Sequence, residues 1–374
     1  MRVALVLGTR PQIIKSAPVI NEASNHSELE LLIIHTGQHY DYELSKIFFE
    51  ELSLPNPTVN LEVGSGSHAW QVGEMMIRLE KAMKELRPDL VIVPGDTNST
   101  LAGALTSAKL NLTVAHIEAG ARSYDMNMPE EINRRLTDHC SNILFAPTEN
   151  CVNNLRKESV LGKVHLVGDT MYDAFLRCMQ KADKNDILEK LNLENESYAV
   201  LTIHRTENVD NALRLRSILE AILTLKEIRF IFPIHPRTKA ALISTDLYQK
   251  IEKSNNVRLL PPMSYYEMLK LQAHAKFIAT DSGGIQKEAF WLKTPCITLR
   301  DTTEWVETLD LGANVLAGAN KTSILENSRK MLRKDKHRIA FEVNPYGDGR
   351  ASERIINIIC QKGQNQATKS QPKI

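Results

Sequence analysis

The stretch Lys276-Phe277-Ile278-Ala279-Thr280-Asp281-Ser282-Gly283-Gly284-Ile285-Gln286-Lys287-Glu288 joins a short apolar run to a pair of glycines and then to a helical pattern. A strand that ends on two glycines leaves backbone N–H groups uncovered, and the following helix aims the positive end of its dipole at the same spot. The segment therefore predicts a phosphate cradle at the carboxyl end of a strand, built from Ser282, Gly283 and Gly284. Glu288, further along that helix, stands where a carboxylate can accept hydrogen bonds from the two hydroxyls of a ribose. The plain alternative is an exposed surface glutamate.

Similar apolar runs recur on both sides of this stretch. Tyr198 to Ile203, Arg229 to Ile234, Val257 to Leu260 and Cys296 to Leu299 form one series with it, and Val3 to Leu7, Glu30 to His35, Leu90 to Val93, Thr113 to Ile117 and Ile143 to Phe145 form another. Longer amphipathic segments separate them, which predicts βα units and parallel sheets. In one such segment, Ser67 to Leu86, Val72, Met75, Met76, Leu79, Met83 and Leu86 fall at helical spacing, so the methionine stripe reads as packing. Val167-Gly168-Asp169-Thr170 separates the two series. The expectation is an α/β chain of two Rossmann-like domains, 1–169 and 170–348, facing a central cleft that is the default binding site.

With 46 basic and 45 acidic residues, no bulk field draws the chain to nucleic acid or an anionic membrane, so any phosphate affinity is local. Five scattered cysteines form no C-x-x-C pair, which fits reduced thiols in cytoplasm better than disulfides or zinc. The run Val3 to Leu7 is too short for a signal-peptide core, and no later run approaches a membrane span. The polar stretch 361–374 reads as a frayed tail.

The remaining polar clusters follow strands. Gly8-Thr9-Arg10-Pro11-Gln12-Ile13-Ile14-Lys15 permits a tight turn at Gly8 and a helix start at Pro11, with Arg10 and Lys15 as two cations for an anion or for solvent. In Gly95-Asp96-Thr97, Asp96 either caps the next helix or serves as an acid or base. His116-Ile117-Glu118-Ala119-Gly120 places Glu118 where a sheet has no structural use for a carboxylate. Pro129-Glu130-Glu131 opens a helix, where the dipole accounts for Glu130 as well as catalysis does. His204-Arg205 and His235-Pro236-Arg237 each set an imidazole beside a cation. His116, His204 and His235 lack the paired spacing of a metal motif, and no metal is expected.

Taken in order, Gly8-Thr9-Arg10-Pro11, Gly95-Asp96-Thr97, His116-Ile117-Glu118-Ala119-Gly120, Pro129-Glu130-Glu131, Asp281-Ser282-Gly283-Gly284 and Asn344-Pro345-Tyr346-Gly347-Asp348-Gly349 resemble the non-hydrolysing UDP-N-acetylglucosamine 2-epimerases, from Met1 to about Ile359. The resemblance implies a GT-B type fold whose last helix, about 349–360, crosses back to the first domain. It implies reversible C2 epimerisation of UDP-N-acetylglucosamine (UDP-GlcNAc) to its manno epimer (UDP-ManNAc) by UDP elimination and re-addition, with no cofactor, in a homodimer that supplies polysaccharide or glycan synthesis. It assigns Asp96, Glu118, Glu130 and His204 to proton transfer and charge stabilisation, Arg10, Lys15, Ser282, Gly283 and Gly284 to the diphosphate, and Glu288 to the ribose.

Three positions depart from the family. Trp305 stands where many bacterial members have an arginine that contacts the nucleotide sugar, and relatives acting on UDP-2,3-diacetamido-2,3-dideoxyglucuronate have a similar Trp-Val-Glu. Asp41 and Thr206 replace a glutamine and an arginine of the substrate-activated enzymes, while Gln38, His39 and His235 remain as a residual regulatory set. The rival readings are a GT-B glycosyltransferase, a hydrolysing epimerase and a non-catalytic sugar-nucleotide sensor.

Overall fold

The computed structural model describes residues 1–38, 48–333 and 344–369. His39 and Asp41 thus lie outside the described residues. The chain divides into two compact units, Met1–Leu176 with Asn344–Ile374, and Arg177–Val343.

In the first unit seven parallel strands run in the order β3-β2-β1-β4-β5-β6-β7. They are β1 (Arg2–Leu7), β2 (Glu30–His35), β3 (Val59–Asn60), β4 (Leu90–Pro94), β5 (Thr113–Ile117), β6 (Ile143–Ala146) and β7 (Lys163–Leu166). Strand side chains alternate between faces, and β1 shows the result. Val3, Leu5 and Leu7 pack with Ile13, Ala17 and Ile20 of α1 (Arg10–Ala23), whereas Ala4 and Val6 pack with Met75, Leu79 and Met83 of α2 (His68–Leu86). The methionine stripe is core. With both faces covered, the central strands read as continuous apolar runs.

The chain returns to this unit at its end. Asp169 N–H donates to the Tyr346 carbonyl at 2.9 Å, and the buried Asp173 carboxylate accepts from the backbone N–H groups of Ala351 and Ser352 at 3.1 and 2.7 Å. Those are free N–H groups of the first turn of the terminal helix, here α16 (Ala351–Lys369). Ile355, Ile356 and Ile359 complete the α1 face of the core. The helix continues to Lys369, so most of the segment read as a frayed tail is helical.

The second unit repeats the design with six parallel strands in the order β10-β9-β8-β11-β12-β13. They are β8 (Tyr198–Thr202), β9 (Arg229–Pro233), β10 (Val257–Leu260), β11 (Ile278–Thr280), β12 (Cys296–Thr298) and β13 (Asn314–Leu316). Ala199 and Leu201 face one core cluster while Tyr198 and Val200 face the other. In the chain between β7 and β8 lie two helices, Thr170–Asp183 and Ile187–Leu191. Both units are Rossmann-like. No helix among the described residues is long and apolar enough to cross a membrane.

Candidate active site

In each sheet the strand order reverses direction at one point, between β1 and β4 in the first unit and between β8 and β11 in the second. Doubly wound sheets bind ligands beyond the carboxyl ends of the strands at such points. The motifs singled out in the sequence follow these strands or their neighbours.

In the first unit Gly8 ends β1, and a side chain there would collide with the Thr36 and Ser99 hydroxyls, which bond each other at 2.8 Å. Arg10 and Pro11 open α1, and the Arg10 guanidinium lies 4.5 Å from the Phe48 ring centre. Lys15, one turn on, reaches Glu118 at the end of β5, Nζ to Oε1 2.8 Å, with both side chains largely buried. Glu118 has φ +72°, a left-handed backbone that a glutamate rarely adopts. Gly95 sits against both, since a Cβ there would be 3.0 Å from Lys15 Nζ and 3.9 Å from Glu118 Oε1.

Asp96 does not cap the next helix. Thr97 does, through a capping box with Thr100. The Asp96 carboxylate instead takes Arg134, at 3.1 Å from Nε and 2.7 Å from Nη2. Arg134 belongs to α4 (Pro129–Cys140), whose buried side carries Glu131, Arg134 and Asp138. Glu131 accepts from Ser123 and Arg134; burial pushes its carboxyl up, but these partners hold it below the usual range. Burial likewise opposes ionisation of Asp138, and His116 and Arg122 more than offset it. His116 contacts Asp138 through Nδ1 and the Gly95 carbonyl through Nε2, both at 2.7 Å, so both ring nitrogens are occupied. Glu130 is half-buried in the first turn of α4.

In the second unit His204 follows β8 and Asp281 follows β11. The fully buried Asp281 carboxylate accepts the backbone N–H groups of His204 and Arg205 at 3.1 and 3.0 Å and the Asn208 amide at 3.2 Å. Its Oδ1 lies 3.5 Å from His204 Nδ1, so it sets both the backbone and the ring of the histidine. Ser282 caps the helix Gly283–Trp291. A Cβ on Gly283 would stand 2.6 Å from Glu304 Oε1, whereas Gly284 has only Ser282 Oγ within 4 Å, at 3.8 Å. Glu288 is 3% exposed and accepts from Gln272 at 2.8 Å, which rules out the surface-glutamate alternative. Trp305 is buried with Lys287 Nζ 3.8 Å from its ring centre, so a lysine supplies the cation beside the position where the arginine is missing.

Of the regulatory set, Gln38 accepts from the Ser99 N–H and hydroxyl at 3.0 and 2.7 Å. His235 caps the helix Pro236–Ile243 and lies 6.2 Å from His204, ring centre to ring centre. Arg237 donates to the Thr206 hydroxyl at 3.3 Å and pairs with Asp210 at 2.5 Å. A cation therefore stands at Thr206 after all.

Sequence reasoning missed Arg134, Asp138, Asp281 as the His204 support, and Lys287. A signal existed for the first two: Glu131, Arg134 and Asp138 recur at helical spacing among residues too polar for an ordinary core-facing helix.

The family model for UDP-N-acetylglucosamine 2-epimerase matches residues 21–360. A UDP-N-acetylglucosamine 2-epimerase homolog of Methanococcus maripaludis is 48% identical, over 96% of this chain and 99% of its own. A UDP-2,3-diacetamido-2,3-dideoxy-D-glucuronate 2-epimerase of Pseudomonas aeruginosa is 41% identical over 96% of this chain and 100% of its own. The crystal structure of Methanocaldococcus jannaschii UDP-GlcNAc 2-epimerase in complex with UDP-GlcNAc and UDP superposes with a TM-score of 0.91 at 47% identity, over 96% of this chain and 100% of that one. With the fold, the order of the motifs and this coverage in agreement, the chain belongs to the UDP-N-acetylglucosamine 2-epimerase family.

Proposed function

We propose that this protein interconverts UDP-GlcNAc and UDP-ManNAc without releasing the free sugar, and supplies nucleotide sugar for surface polysaccharide or glycan synthesis. Besides family membership, the observation that carries the reading is the Lys15–Glu118 pair, in which Glu118, in a left-handed backbone after β5, reaches the helix that follows β1 at the sheet's reversal point. A residue held in this region persists only where its surroundings over-determine it, and here the buried Lys15 pair is part of those surroundings.

In the reaction a base takes the C2 proton, the C2–H electrons form the C1–C2 double bond, and the C1–O bond breaks with its electrons leaving on UDP. UDP then re-adds at C1 of the resulting 2-acetamidoglucal as a proton reaches the opposite face of C2. We assign Asp96, Glu118, Glu130 and His204 to these transfers, Arg10, Ser282, Gly283 and Gly284 to the diphosphate, and Glu288 to the ribose. Lys15 serves both Glu118 and the departing UDP. Asp281 positions His204.

Two further parts of the reading have their own support. Five free, dispersed cysteines suit the reducing cytoplasm. The exposed side of α4 carries Ile132 and Leu136, 40% and 44% exposed, opposite its polar buried side, and a second copy of the chain is the partner we assign to that apolar stripe. A second substrate reading, the diacetamido uronate, is favoured by Trp305 and by the Pseudomonas relative.

Incubation with each UDP sugar in D2O, followed by NMR, tests these readings. The expected result is UDP-ManNAc from UDP-GlcNAc with deuterium at C2 of both epimers. Retention of the original C2 hydrogen overturns the elimination. Free N-acetylmannosamine with UDP identifies a hydrolase, and UDP binding without turnover of either sugar identifies a sensor.

A further inference from the structure

In the first unit, the loop after α1 meets α16 in a cluster of donor side chains. His26, Glu28 and Cys360 offer a nitrogen, a carboxylate oxygen and a sulfur that all lie within 4.8 Å of one another. His26 Nδ1 is 3.6 Å from Cys360 Sγ and 3.4 Å from Glu28 Oε1. Ligands about 2.3 Å (sulfur) and about 2.0 to 2.1 Å (nitrogen, oxygen) from a zinc-like ion, spread at tetrahedral angles, stand roughly 3.5 and 3.3 Å apart. The His26–Cys360 and His26–Glu28 separations thus match two edges of a coordination tetrahedron, and the third edge lies within 4.8 Å.

The surroundings fit the same use. The other imidazole nitrogen, Nε2, faces Glu22 at 3.5 Å, the outer carboxylate contact that orients metal-binding histidines. The Met1 ammonium donates to the Glu28 carbonyl at 2.7 Å and fixes the loop. Cys360 is 8% exposed, whereas the Glu28 side chain is 52% exposed, so one wall is dry and the other admits an ion. A thiolate and a carboxylate together neutralise a divalent charge. Burial, with Glu28 alongside, pushes the free thiol up to about 11, so uptake of an ion releases a proton.

From this geometry we infer that His26, Glu28 and Cys360 bind a thiophilic divalent cation of the zinc class, with water completing the tetrahedron, and that the ion ties the loop after α1 to α16. His26 and Cys360 are 334 positions apart, so the bond would staple the returning C-terminal helix to the start of the chain.

Cobalt titration of the metal-free full chain, with zinc as competitor, tests this. One Co2+ per chain is expected, with intense tetrahedral bands in the visible and a thiolate-to-metal band in the near ultraviolet, all displaced by Zn2+. The bands should survive Cys140→Ser, vanish in Cys360→Ser, and need at least about tenfold more cobalt in Glu22→Gln, in line with the loss of an outer-shell contact. Should Cys360→Ser fail to fold, His26→Gln takes its place. An octahedral spectrum without the thiolate band, no cobalt uptake, or bands that persist in Cys360→Ser or, in its place, His26→Gln would overturn the site.

Discussion

Glu118 and Lys15 are 103 positions apart, yet they share one buried ion pair. A left-handed residue that is not glycine costs roughly 1 to 3 kcal/mol, so the surrounding structure must hold Glu118 in place. Proton transfer and ribose contact make different demands on a side chain, and kinetics separate them. Glu118→Gln and His204→Ala should lower kcat by about 100- to 10,000-fold, whereas Glu288→Ala should mainly raise KM and weaken UDP binding. Steady-state kinetics with UDP titration check this, and a loss of affinity alone in all three would remove the division of roles.

Thr206 and Arg237 decide a second question at the same scale. Loss of an arginine at 206 would remove charge-assisted bonds worth about 1.5 to 3 kcal/mol, comparable with a typical allosteric coupling. Arg237 brings a guanidinium to the Thr206 hydroxyl, but Asp210 already neutralises it. Weak substrate activation is therefore expected, with near-hyperbolic rate curves and a reverse reaction that runs from UDP-ManNAc alone. A reverse reaction silent until a trace of UDP-GlcNAc is added would show that Arg237 rebuilds the regulatory contact.

Among the elements, α4 has an uncommon distribution of polarity, with charge inside and Ile132 and Leu136 outside. Its inner carboxylates carry a pH dependence whose sign follows from their partners. Glu131 and Asp138 titrate below their ordinary values in the folded protein, so in acid the unfolded chain binds more protons. Their stabilisation is complete above the ordinary carboxylate values, about 4, and is lost as pH falls through the depressed folded values. Asp138→Asn should cost about 3 to 5 kcal/mol near neutrality, because His116 loses its buried carboxylate and Arg122 keeps only Glu158 of its two, and should flatten the acid limb of stability. Urea melts across pH check both, and an unchanged acid limb would place the dependence elsewhere.

For the whole molecule, the exposed stripe on α4 bears on assembly. If Ile132 and Leu136 meet a second copy, Ile132→Glu with Leu136→Glu should convert a dimer to a monomer in sedimentation without changing the far-ultraviolet circular dichroism. A wild-type monomer at micromolar concentration would remove the assembly reading.

The sequence by itself determined the two βα series, the core role of the α2 methionines and the strand-to-helix turn at Ser282, Gly283 and Gly284, because periodicity, glycine freedom and helix ends are properties of neighbours in the chain. It left out β3, β7 and β13, short strands at the sheet edges whose partial burial weakens the apolar pattern. It ended the last helix too early, since a polar composition hides helical hydrogen bonding. Tertiary structure alone decided that Lys15 meets Glu118, that Asp96 meets Arg134 while Thr97 takes the cap, and that a buried Asp281 holds His204. Each of these contacts depends on which strands become neighbours, and strand order arises from the packing of the whole sheet, which no local pattern encodes.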